Sequence, residues 1–231
     1  MLGATMGKRV AIALFTMSFM LSPDHVAAAW PYVQVHAGWS WYEMNSVNDQ
    51  IRAVNDITTP DNLREIDYGP LYGAGLGLEL GDRLGLSVEY DRLLGSAEKA
   101  HGSETLSYDT AANVFRVTGR YDVKREEDGG LFLGASFGQV SETGSVALSA
   151  AGSEFPSGDL SGSALMFELL YGAHQNFGPQ VEMMLELGYR NALVTNVKVN
   201  GEPLLNEQAG NVSIDHGGLV IRVGWRLGTA R

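Results

Sequence analysis

Several stretches of this chain place an ionisable residue on every second position, with aliphatic or aromatic residues between. Glu79, Glu89, Asp91, Arg116, Arg120, Asp122, Glu168, Glu182, Glu186, Arg190, Arg222 and Arg226 all occur in this way, as does His36. Carboxylates, guanidiniums and an imidazole at that spacing suit charge-assisted hydrogen bonding in an enclosed space, with partners either fixed or exchanging to pass small ions. Other chemistries lack their residues. The chain has no Cys, so thiolate ligands, thiol nucleophiles and disulfides are excluded. There is no Gly-x-Ser-x-Gly elbow and no Asp-x-Asp-x-Asp-Gly calcium loop. Ser213, Asp215 and His216 are neighbours in sequence, but on a strand the first two point one way and the third the other, so they make no triad. We therefore predict no catalytic residues, no metal ligands and no cofactor.

Eight segments carry the two-faced pattern: 31–42, 70–80, 84–93, 110–122, 130–141, 163–174, 181–191 and 216–228. In the last, Leu219, Ile221, Val223, Trp225 and Leu227 alternate with Val220, Arg222, Gly224 and Arg226. Alternation of period 2 is the strand signature. A soluble sandwich would bury the aliphatic face and wet the charged one. A closed barrel in a bilayer does the reverse, with lipid outside and charge in the lumen. A mean hydropathy of −0.05 fits such a barrel, since only alternate residues meet lipid.

The connections alternate in length. Gly81-Asp82-Arg83, residues 123–129 and residues 175–180 are short and rich in turn formers. The stretches 43–69, 94–109, 142–162 and 192–215 are long and polar, and the last has an alternating window at 194–199 that suits a hairpin of its own. The expected fold is all-β: an eight-stranded antiparallel up-and-down transmembrane barrel, with short periplasmic turns and long extracellular loops. Tyr32, Trp41, Tyr42, Tyr72, Tyr90, Tyr121, Tyr171, Tyr189 and Trp225 fall near strand ends, where aromatic rings favour a membrane interface.

Residues 1–29 read as a cleaved leader, with Lys8 and Arg9, an apolar core at 10–21 and Ala27-Ala28-Ala29 before Trp30. The remaining 30–231 form one barrel domain. The formal net charge is −11 for the chain and −12 without the leader. The four long stretches contribute −4, −2, −3 and −2 in order, so the acidity lies in the loops. Such a surface disfavours nucleic acid.

The run Tyr72-Gly73-Ala74-Gly75-Leu76-Gly77-Leu78, the tight turn after it and Leu86-Ser87-Val88-Glu89-Tyr90 resemble the small outer-membrane β-barrel family, the OmpA/OmpX-like eight-stranded barrels. Leu131-Phe132-Leu133-Gly134-Ala135-Ser136-Phe137-Gly138 repeats the likeness. The resemblance implies export to the outer membrane of a Gram-negative-type envelope, a lipid and lipopolysaccharide environment, and insertion by the barrel-assembly machinery. Family members usually end on an aromatic residue. Here Trp225 is followed by six further residues. A monomer is expected, with a structural or surface-interaction role through acidic loops. The alternatives are a narrow pore gated by interior salt bridges and a lipid A-modifying hydrolase.

Counting five or six residues from each periplasmic strand end predicts an interior layer at mid-height of His36, Glu89, Arg116, Glu168, Glu186 and Arg222. A lower layer holds Glu79, Arg120, Asp122, Glu182 and Arg226, and Asp91 and Arg190 form an upper one.

Overall fold

The computed structural model describes residues 29–57, 64–101, 104–150, 153–154, 158–204 and 211–228. Eight long strands form the wall: β1 (Ala29–Trp41), β2 (Tyr68–Leu80), β3 (Leu84–His101), β4 (Glu104–Glu126), β5 (Gly129–Glu142), β6 (Gly158–Asn176), β7 (Val181–Asn191) and β8 (Gly218–Gly228). Each pairs antiparallel with the next, and β8 returns to pair with β1, so the sheet closes. Closure satisfies every wall backbone group without water, which the bilayer interior demands. Among the described residues no helix is long and apolar enough to cross a membrane. Of the expected leader only Ala29, the first residue of β1, lies within the described residues.

Side chains sort as alternation requires. Val35, Leu76, Val88, Phe115, Leu133, Phe137, Leu169, Leu185 and Val223 are all about half exposed on the outer wall, while Glu89, Arg116, Glu168 and Arg222 are buried within. Trp41, Tyr72, Tyr121, Tyr171, Tyr189 and Trp225 are exposed, as expected for interface rings. Tyr32 and Tyr42 instead point inward and are buried. Tyr32 shares the inward parity of Gln34, and its ring occupies the space that a side chain on Gly77 would fill. Adding a Cβ there forces the ring out of place, so Gly77→Val should cost about 1–3 kcal/mol in urea unfolding from vesicles.

Walking the register from Trp30 through Glu79, Gly85, Arg120, Gly134, Leu170, Gly188 and Val220 returns to Ser40, ten residues farther along β1. At ~3.3 Å per residue and ~4.8 Å between strands, that stagger tilts the strands by about 40° from the barrel axis. Residues at equal counts from their strand ends therefore do not lie at equal heights.

The long connections contain more structure than a polar loop reading allows. β3 and β4 run on as a paired extension to His101 and Glu104, so residues 94–101 and 104–109 are strand. Residues 145–149 add to the edge of β4 above the wall. The last connection does hold a hairpin, but at 198–203 rather than 194–199: Lys198 and Val199 pair with Pro203 and Glu202, while Val194 pairs with Ile214. The hairpin's turn is Asn200-Gly201, both at positive φ (51° and 90°), the pair a tight two-residue hairpin favours. Residues 43–69 hold a helix, α1 (Asn45–Ile57). Its Val47 and Ile51, one turn apart, are buried.

These pieces pack into an apolar core over the lumen. Met44, Val47, Ile51 and Ile66 from the first connection meet Leu71, Leu93, Val114, Val140, Met166 and Val220 from the upper wall, and Val194, Val197, Val212 and Ile214 from the last connection. All are less than a tenth exposed. At the edge of this crown, Arg52 Nε lies 2.7 Å from Glu65 Oε1. That hydrogen bond, then the charge of Arg52, holds the Glu65 carboxyl below the usual carboxylate range. The contact is therefore complete at neutral pH and is lost as pH falls through the depressed Glu65 value. Amide exchange in α1 should rise below about pH 4, and Glu65→Gln should abolish that acid dependence.

Candidate functional site

The lumen holds two ionic clusters. In the upper one, Glu168 on β6 is the hub. Its carboxylate accepts from Arg116 Nη1 at 3.1 Å, from Arg190 Nε at 2.9 Å and from Arg222 at 2.5 and 2.9 Å. Asp91 on β3 faces the same three guanidiniums at 3.5, 3.7 and 3.4 Å and hydrogen-bonds His36 Nε2 at 2.7 Å. Glu89 pairs with Arg116 and accepts from Ser87 Oγ at 2.6 Å. Glu186 lies 3.6 Å from Arg222. Three guanidiniums thus face four carboxylates, with His36 as a further hydrogen-bond partner.

In the lower cluster Glu79 accepts from Arg120 and Arg226, each at 2.8 Å, and Glu182 from Arg226 at 2.9 Å. Asp122 lies 3.7 Å from Arg120 and 3.4 Å from Arg125. His174 Nδ1 is 3.2 Å from Glu182. Two rings cover the guanidiniums: Arg226 stands 4.0 Å over Tyr32 and Arg120 4.8 Å over Phe132.

The structure brings His36, Glu89, Arg116, Glu168, Glu186 and Arg222 together, and Glu79, Arg120, Asp122, Glu182 and Arg226 likewise. It corrects the height of Asp91 and Arg190. They belong with the first set rather than above it, because the ten-residue stagger lifts or drops each strand's count relative to its neighbour. Arg125 and Glu142 were not read as lumen groups, while His174 and His216, placed by parity on the inward face of their strands, were assigned to no layer. Arg125 turns inward because the β4–β5 register shifts between Asp122 and Lys124, which reverses the alternation. His174 carried the right parity and could have been included.

Glu142, counted as a loop acid, ends β5 and is buried: its Oε2 is 2.6 Å from His216 Nε2, and its Oε1 accepts from the backbone N–H of Ala111 and Gly144 at 3.0 and 3.1 Å. Tyr42 meets the His216 ring edge-on at 5.6 Å. His216 thus pairs with Glu142, while Asp215 accepts from Gly217 N–H and Ser213 donates its backbone N–H to Ser46 Oγ. Ser213, Asp215 and His216 do not converge.

His36, Glu89 and Asp91 present atoms within 4.8 Å of one another, a spacing a cation could use. The Arg116 guanidinium already contacts both carboxylates. The cationic position is filled by the protein itself, and we assign no metal there.

A closed eight-stranded antiparallel wall, apolar outside and ionic within, defines an outer-membrane β-barrel protein. The chain belongs to the outer membrane protein beta-barrel domain family, whose model matches residues 11–226. No curated protein matches it. Among solved structures it is similar to Neisserial surface protein A (NspA), with 16% identity, a TM-score of 0.52, and coverage of 87% of this chain and 98% of that one. The attachment invasion locus protein Ail of Yersinia pestis is 12% identical at TM-score 0.44, covering 86% of this chain and 99% of that one. The outer membrane protease OmpT of Escherichia coli is 10% identical at TM-score 0.37, covering 87% and 93%. At these identities the likeness to NspA shows the fold.

Proposed function

We propose that this protein is a non-conducting barrel that stabilises the outer membrane and presents a folded acidic platform to the exterior, for a partner of basic surface. The observation that carries the reading is the apolar core above the lumen, in which Leu71, Leu93, Val114, Val140 and Val212 are at most 1% exposed. Ions cross neither dry aliphatic packing nor a cluster of buried ion pairs without displacing it. A gate of exchanging salt bridges would need an open route on both sides.

The acidic residues at the crown surface support the second half of the proposal. Like charge keeps neighbouring copies apart and steers cationic surfaces inward. The role proposed is structural and not catalytic.

Planar-bilayer recording tests the first half. The wild-type protein should give no unitary steps, and neither should Arg116→Ala or Arg222→Ala, because the core above remains shut. Reproducible unitary steps from the wild type, or their appearance in either single variant, would establish the gated pore instead.

A further inference from the structure

On the outer wall, one cation stands where the apolar surface ends. Below Arg92 on β3, the outward residues are Tyr90, Val88 and Leu86. Through it the register joins Tyr72, Arg92, Asn113, Ser141 and Ser163 on five successive strands, an oblique polar belt that climbs this flank because the strands are tilted. Arg92 is half-buried in that belt. Its Nη1 donates to Asn113 Oδ1 at 2.8 Å and to Thr143 Oγ1 at 2.7 Å, and Tyr90 Oη donates to the same Asn113 oxygen at 2.6 Å. These contacts fix the guanidinium plane. Among the described residues Nη1 alone is engaged and no carboxylate pairs with this arginine, although the crown above is acidic.

The same strands carry an apolar groove lower on the wall. It has a volume of about 600 Å³ and is lined by Val33, Leu76, Leu78, Leu86, Val88 and Val117 among others. Leu76, Val88 and Val117 form one register row, four residues below Arg92 along β3. At ~3.3 Å per residue the groove begins about 13 Å farther down β3 than Arg92, within reach of an acyl chain that starts at the belt.

We propose that Arg92 and the groove below it form a binding site for a phosphorylated glycolipid of the outer leaflet. The free edge of the guanidinium takes the phosphate, the hydroxyls of the belt take sugar oxygens, and an acyl chain lies along Leu76, Val88 and Val117. A planar fork held by Asn113 and Thr143 suits phosphate, because two N–H groups present a pair of oxygens with parallel bonds. A free sugar phosphate has the same anion but no chain for the groove. The site deepens the expected lipid environment and does not depend on the lumen being closed.

The test uses the full-length folded protein in detergent micelles, with native mass spectrometry as the readout and a heat-modifiable gel shift to confirm folding. Three probes are compared: bisphosphorylated lipid A, lipid A with both phosphates removed, and glucosamine 1-phosphate. The wild type should bind bisphosphorylated lipid A about tenfold more tightly than the dephosphorylated form, the scale of one charge-assisted contact. Arg92→Gln should remove that preference and leave binding of the dephosphorylated lipid unchanged, and Arg92→Lys should keep part of it. Arg92 faces outward, so both variants should show the wild-type gel shift. Equal binding of the two lipid forms by the wild type would overturn the proposal, as would an undiminished preference in Arg92→Gln. Binding of glucosamine 1-phosphate as tight as that of the lipid would overturn the assignment to a lipid.

Discussion

Glu168→Ala is expected to destabilise the folded barrel by about 3–5 kcal/mol, the usual cost of stripping one partner from a buried ion pair. The size follows from the number of partners. Glu168 is fully buried and, among the described residues, is the one carboxylate that accepts hydrogen bonds from Arg116, Arg190 and Arg222 together. Without it three guanidiniums remain fixed to strands around a small lumen, facing Glu89, Asp91 and Glu186. Glu168→Gln keeps the volume but not the charge, and should be nearly as damaging. Urea unfolding of vesicle-inserted protein, followed by the gel shift, measures the loss. A wild-type midpoint in both variants would mean that lumen water solvates the arginines, and the cluster would then count for little. The double variant Glu168→Ala with Arg222→Ala should lose less than the two single losses added, because the shared Glu168–Arg222 contact is then lost only once and no Arg222 guanidinium is left without it.

Leu93→Asp should unseat the crown while sparing the membrane wall. Leu93 has no exposed surface and packs where the first and last connections meet the upper barrel. An unpaired carboxylate there costs several kcal/mol unless the packing opens to water. We expect protease to cut within 43–69 or 192–215 in the variant and not in the wild type, with the gel shift retained. The crown and the two ionic clusters block the lumen in series, so Leu93→Asp should not conduct, alone or combined with Arg116→Ala. Complete loss of the gel shift in Leu93→Asp would show instead that crown and wall fold as one unit.

Much of the lumen could be read from the chain before any coordinates. Parity along each strand assigned Glu89, Arg116, Glu168 and Arg222 to the inside, because on a pleated strand a neighbour's neighbour must share its face. Less was legible above the membrane. Leu93, Val114, Val140 and Val220 keep the inward parity of Asp91, Arg116, Gly138 and Arg222, but the inward face there changes from charged to aliphatic. That change was the available sign of an apolar core. Val47 and Ile51 likewise carried a helical spacing inside a stretch otherwise read as loop. The strand extensions were hidden because hairpins standing in water need no lipid-facing alternation, so residues such as Ser107 and Asp109 look like loop.

Sequence alone thus determined the number of wall strands, their order around the barrel and the face that most wall side chains take, since period 2 is a property of one strand and its turns. Tertiary structure alone decided the heights. The ten-residue stagger is a sum over eight pairings that exists only once β8 meets β1. It seats Asp91 and Arg190 beside Glu168, and a single register shift after Asp122 turns Arg125 into the lumen. Period 2 records which way a side chain points but not how far along the barrel axis it sits, and the partners of a buried charge depend on both.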